Sequence, residues 1–121
     1  MARELELAEG ETILERCKAS ASFGLRSLWQ GDLWITNQRI VWRRHGFSPP
    51  YPKPSAFEIP LANVHHANAK DLLGAFGGLN IHTGDKRYTL LPYLGLYATG
   101  LFFNGRLARR LAGTINENLP R

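Results

Sequence analysis

Between Gly31 and Arg44 the chain reads as two runs of β-branched and aromatic residues around a polar pair, Asn37-Gln38. Such a pattern predicts a β-hairpin with a two-residue loop. Pairing outward from the loop sets Ile35 opposite Ile40 and Leu33 opposite Trp42 on one face, while Trp34 meets Val41 and Asp32 meets Arg43 on the other. A one-residue slip would oppose Leu33 to Arg43 and mix the faces, so the pattern selects its own register. The turn is its weak point, because Gln38 suits the second position of a type I′ turn less well than glycine. A second hairpin sets Leu79, Ile81 and Thr83 against Arg87 to Leu91. Here Gly84-Asp85 supplies the glycine of a type II′ turn and places Ile81 opposite Tyr88 and Leu79 opposite Leu90.

The same reading gives the other elements. From Thr12 to Phe23, residues Ile13, Cys17, Ala19, Ala21 and Phe23 share one parity and predict a half-buried strand, with Glu15 spoiling the inward set. A helix through residues 11 to 18 is the alternative. Phe57 to Leu61 and Asn63 to Ala69 read as short strands interrupted by Pro60. Prolines 49, 50, 52 and 54 make His45 to Ser55 a stiff extended loop. Asp71 to Gly78 reads as a glycine-bearing loop whose spacing fits no phosphate cradle. Tyr93 to Phe103 reads as an aromatic connector. The period then changes: Phe103, Leu107, Leu111 and Ile115 recur every fourth residue beside Ala108 and Ala112, predicting a helix over 104–118 with Asn104 as N-cap. The predicted core is Leu33, Ile35, Ile40, Trp42, Ile81, Tyr88, Leu90, Leu107 and Leu111.

The run Gly31-x-Leu33-Trp34-Ile35-Thr36-Asn37-x-Arg39-Ile40, preceded by Glu9-Gly10-Glu11-x-Ile13-Leu14, resembles the opening of GRAM and related bacterial pleckstrin-homology-like domains. The later elements follow the same order over most of the chain. The resemblance implies a mainly β fold, a barrel of two antiparallel sheets and about seven strands capped by a C-terminal helix. It further implies a module that binds lipids or proteins and does not catalyse. The expected organisation is one domain over residues 1–121, with residues 1–11 as an acidic lead-in.

Charge sharpens the expectation about partners. The net charge is +5, and the first fifteen residues hold five acids and one Arg, which leaves +9 on residues 16 to 121. Such a field favours anionic surfaces. A lone Cys17 cannot form an intramolecular bridge, and the start of the chain is acidic where a secretory leader is cationic and apolar. The expected location is therefore the cytoplasm, peripheral at the inner face of the membrane. Residues 88 to 105 carry no formal charge, but Pro92 and three glycines interrupt them, so they do not predict a membrane span.

If both hairpins hold, three connections emerge at one end and bring Arg26, Arg43, Arg44, Lys53, Lys86 and Arg87 together as a candidate anion-binding site. The tight lipid-binding pattern of the pleckstrin-like families follows a first-strand Lys with a closely spaced basic pair. Here Ser27 and Leu28 follow Arg26, which leaves attraction by charge. Trp34, Val41, Tyr93, Tyr97 and Phe102 form a candidate partner interface, either for another protein or between copies of the chain. A small barrel binding single-stranded nucleic acid is the alternative function, with Trp34 stacking bases beside Arg39 and Arg43. No catalytic residue, metal or cofactor is expected. Adjacent His65 and His66 point to opposite faces of a strand, and Cys17 has no partner for nucleophilic chemistry.

Overall fold

The computed structural model describes residues 5–22, 28–44, 56–72, 76–84, 86–93 and 97–120, the side chains of 22–30, 70–77 and 92–106 excepted. Seven strands lie within these residues: β1 (Ile13–Ser22), β2 (Leu28–Thr36), β3 (Arg39–Arg44), β4 (Ala56–Pro60), β5 (Val64–Leu72), β6 (Phe76–Thr83) and β7 (Arg87–Tyr93). A 3-10 turn, Leu61–Asn63, joins β4 to β5, and one helix, α1 (Tyr97–Glu117), follows the last strand. All ladders are antiparallel and form one sheet in the order β4-β3-β2-β1-β7-β6-β5. The expected barrel of two sheets is thus one continuous sheet with two edges, β4 and β5, that no ladder joins among the described residues.

Both hairpins have the expected registers. Ile35 pairs with Ile40, Leu33 with Trp42, Trp34 with Val41 and Asp32 with Arg43. In the second, Ile81 pairs with Tyr88 and Leu79 with Leu90. Leu33, Ile35, Ile40, Trp42, Ile81, Leu90, Leu107 and Leu111 are buried, and Tyr88 is half-buried against Phe57 at 5.0 Å between ring centroids. Trp42 is fully buried, stacks on Phe57 and donates its indole N–H to the Ala19 carbonyl at 3.0 Å. The ring lies over Gly31, where a Cβ would come within 2.3 Å of the Arg43 carbonyl and 2.7 Å of the indole. Only glycine fits beneath that tryptophan.

Three expectations change. Phe76 to Gly78 belong to β6, with Lys70, Asp71 and Leu72 of β5 opposite Gly78, Gly77 and Phe76. The glycines therefore extend a hairpin, and the connection shrinks to residues 73–75. The helix starts at Tyr97, so Asn104 is an interior position, and Tyr93 closes β7 opposite Lys18. The aromatic connector is mostly helix; Gly100 and Gly105 weaken a helix without forbidding one. In β1 the register shifts between Ile13 and Glu15, which leaves Ile13 exposed, while Glu15 takes an inward position opposite Ile35. The acid there is satisfied by the helix: Thr114 Oγ1 donates to Glu15 Oε2 at 3.2 Å, and Arg110 Nε lies 3.3 Å from the same oxygen.

Helix α1 packs over β5, β6 and β7. It buries Leu107, Ala108, Leu111, Ala112 and Ile115, the described members of the predicted stripe. Near its end Asn116 donates to the Ala67 carbonyl and accepts from the Ala67 N–H, both at 2.8 Å. No helix among the described residues is long and apolar enough to cross a membrane.

Candidate functional site

The two halves of the Glu-Gly-Glu and Thr-Asn-x-Arg pattern meet in space. The Thr36 hydroxyl accepts hydrogen bonds from the backbone N–H groups of Gln38 and Arg39, at 3.1 and 3.0 Å, and so supplies the turn with support that Gln38 lacks. The same hydroxyl donates to Glu11 Oε2 at 2.6 Å. Arg39 reaches Glu11 through Nε at 2.8 Å, Glu58 through a terminal nitrogen at 2.9 Å and the Glu6 carbonyl at 2.6 Å. Asn37 accepts from the Thr12 N–H and donates to the Gly10 carbonyl, while Gln38 donates to the Glu9 carbonyl. Gly10 turns at φ +75°, a conformation that favours glycine.

Glu11 is 5% exposed, and the hydrogen bonds from Arg39 and Thr36 outweigh burial and hold its carboxyl down to about 2 from an ordinary 4.5. Arg39 is shifted upward, first by Glu11. These groups are fully occupied with one another, so the motif is a structural clasp of the N-terminal segment onto the first hairpin. It offers no ligand a vacant charge.

That clasp corrects the reading of Trp34 and Val41. They occupy the outer face as expected, but Leu5 lies against them and they are only 2% and 3% exposed. The guanidinium carbons of Arg16 and Arg43 sit 5.5 and 5.6 Å from the Trp34 ring centroid. Neither a stacking platform for bases nor an open apolar interface exists at this tryptophan. The side chains of Tyr93, Tyr97 and Phe102 lie outside the described residues.

The ladders carry the ends of β1, β2, β3, β4 and β7 to one end of the sheet. Ser22 of β1 pairs with Leu28 and with Thr89, Arg43 pairs with Ala56, and Arg87 opens β7 opposite His82. Arg43, Arg44, Lys86 and Arg87 all belong to this end, whereas Arg26 and Lys53 lie outside the described residues. The four do not form one cluster of side chains. Arg43 is spread over Trp34 on the outer face, and Arg44 is half-buried on the opposite parity. Arg87 is exposed, and Lys86 places Nζ 5.0 Å from the Tyr88 ring centroid.

Lys86 belongs instead to a cleft that the sequence did not disclose. A cavity of about 470 Å³ lies beside the unjoined edge of β4, lined by Glu58, Asn63, His65, Thr83, Lys86 and Tyr88 among others. These residues come from β4, the 3-10 turn, β5 and the second hairpin, and no local spacing links them.

Elsewhere, His66 stacks on His82 across the β5–β6 ladder at 4.2 Å, and His82 Nε2 lies 2.7 Å from Asn68 Oδ1. Burial and then His66 and Arg87 push His82 down from its ordinary value. His65 is on the other parity, as expected for neighbours on a strand. No group of three or more metal-ligating side chains forms among the described residues. Cys17 packs against the core, and burial, with Glu15 nearby, pushes its thiol up to about 12.

No protein-family model and no curated sequence matches the chain. Solved structures do. The N-terminal PH domain of Vps36 superposes with a TM-score of 0.59 at 18% identity, covering 91% of this chain and 85% of that one. The C-terminal domain of an unknown protein from Leishmania infantum gives a TM-score of 0.63 at 16% identity, covering 88% and 86%. At such identities the likeness defines the fold: a pleckstrin-homology-like sheet capped by a C-terminal helix.

Proposed function

We propose that the chain forms one GRAM/pleckstrin-like domain, a non-catalytic module that meets anionic lipid surfaces through the end of the sheet carrying Arg43, Arg44, Lys86 and Arg87. One observation supports the reading above others: strand ends far apart in sequence bring these four bases to one end. Ser22, Leu28, Arg44 and Ala56, the strand ends that flank the segments bearing Arg26 and Lys53 in the sequence, lie at that end. The bases are spread over two faces and do not converge on one pocket, which suits attraction to a charged plane better than recognition of one headgroup. Each base near an anionic surface contributes about 1 kcal/mol. On this reading the domain works in the cytoplasm, peripheral at the inner face of the membrane.

Co-sedimentation with vesicles of phosphatidylcholine alone or mixed with phosphatidylserine tests it. Binding should require the anionic lipid and fall steeply with salt, because the Debye length is only ~8 Å at physiological ionic strength. Replacing Arg43, Arg44 and Lys86 together by Ser should abolish binding, whereas Arg109→Ser on the exposed face of α1 should not. If the wild-type protein ignores anionic vesicles at low salt, a protein partner replaces the membrane.

A further inference from the structure

Strand β4 turns part of its main chain away from the sheet. In its ladder with β3, Arg39 pairs with Pro60, Ile40 with Ile59, Val41 with Glu58 and Trp42 with Phe57. The next pair in that register, Gln38 with Leu61, is hydrogen-bonded, the Leu61 N–H donating to the Gln38 carbonyl at 3.0 Å. Bonded pairs alternate along an antiparallel ladder, so Ile59 and Phe57 bond to β3, whereas Glu58 and Ala56 point their N–H and carbonyl groups the other way. No ladder meets them there among the described residues. At the other edge of the sheet, β5, the Asn116 carboxamide already holds Ala67. There is also room beside β4: the cleft of about 470 Å³ is lined by Glu58, Ile59 and Pro60 of this edge and by Thr83, Lys86 and Tyr88.

We propose that the β4 edge takes an extended peptide segment of a partner protein as an added strand, antiparallel to β4, with a Lys or Arg opposite Glu58 and an apolar residue on either side of it. Main-chain bonds to Glu58 and Ala56 would hold the segment, and the alternation of side chains would select it. Glu58 lies on the face of Val41, where its carboxylate is 2.9 Å from Arg39. That single guanidinium also serves the enclosed Glu11 at 2.8 Å, so one positive charge is divided between two acids. The Glu58 side chain is 54% exposed and keeps negative charge for a base on the incoming strand. Phe57 and Ile59 face the core side, and Phe57 packs against both Trp42 and Tyr88. The residues that flank the base lie on that side and are therefore apolar. Lys86 stays on the Tyr88 ring, 5.0 Å from its centroid, so the incoming base meets the acid on one face and is separated from the ammonium on the other. A second copy of this chain fits poorly. Aligning two β4 edges along their full length sets Glu58 opposite Glu58 and Ala56 opposite Pro60, which has no N–H to give. The inference does not depend on the lipid reading.

Chemical-shift titration of the whole nitrogen-15-labelled chain with the peptide acetyl-Thr-Val-Lys-Val-Thr-amide is the test. Saturable shifts centred on the amides of Ala56 and Glu58 are expected at millimolar peptide. Two further peptides separate the parts of the argument. Methylating the main-chain nitrogen of the central Lys removes the donor to the Glu58 carbonyl and should weaken binding about tenfold. Exchanging that Lys for Glu should weaken it several-fold, and Glu58→Lys in the protein should reverse the preference between the two peptides. Arg39 keeps Glu11 in that variant, and its own amide spectrum reports whether the fold is intact; the methylated peptide needs no variant at all. Absence of shifts at Ala56 and Glu58 overturns the inference, as do shifts confined to another surface. Equal binding of the methylated peptide overturns it too, because a base attracted only by surface acids does not need its N–H.

Discussion

Gly31 and Gly113 show how the same residue type is required in one place and dispensable in another. At Gly31 a methyl group would overlap a backbone carbonyl and the Trp42 indole, neither of which can yield without moving the ladder. Gly31→Ala should therefore cost about 3 kcal/mol, read by urea denaturation. At Gly113 a Cβ meets nothing within 4 Å, and the position lies inside α1. Gly113→Ala should add about 0.5–1 kcal/mol and raise the melting temperature. Trp42→Ala should cost about 3–5 kcal/mol, since the ring is wholly enclosed and its N–H is spoken for. Cys17, with its thiol pushed up to about 12, should resist labelling by a thiol reagent in the native protein at neutral pH and react at once in denaturant.

Among the elements, the N-terminal clasp is what the sequence pattern hid most completely. Glu9-Gly10-Glu11 was legible as a turn, but which acid would be buried depended on Arg39 and Thr36 arriving from the hairpin, and a local pattern cannot express that. The outward set Trp34 and Val41 was legible as a face; its apolar cover was not, because among the described residues it comes from Leu5, in a segment with no periodicity of its own. The lowered Glu11 carboxyl sets a pH dependence. A carboxyl at about 2 when folded and near 4.5 when unfolded stabilises the fold fully above about pH 5 and loses that contribution as pH falls toward 2. The stability gap between wild type and Glu11→Gln should thus be constant at neutral pH and shrink in acid. Arg39→Ala at pH 7 should cost about 3–5 kcal/mol by stranding a buried carboxylate, with the wild-type fold recovering no advantage from added salt.

At the scale of the whole molecule, register was legible wherever a turn and two alternating runs coincided, as at Asn37-Gln38 and Gly84-Asp85. It failed where glycine was read only as a loop former, at Gly77 and Gly78, and where a charge-free run concealed the first turns of α1. The cleft was illegible because its lining is assembled from β4, the 3-10 turn, β5 and the second hairpin, whereas the basic end could be deduced once two hairpins were placed. One side chain of α1 has a consequence for how this protein behaves at high concentration. Strand β5 is an edge, and Ala67 points its backbone N–H and carbonyl away from β6; the Asn116 carboxamide occupies both and plays the part of one residue of a neighbouring strand. An incoming chain that tried to extend the sheet would have to evict it. Asn116→Leu should therefore leave a folded protein that scatters light and assembles into fibrils on concentration, with the wild type remaining clear under the same conditions.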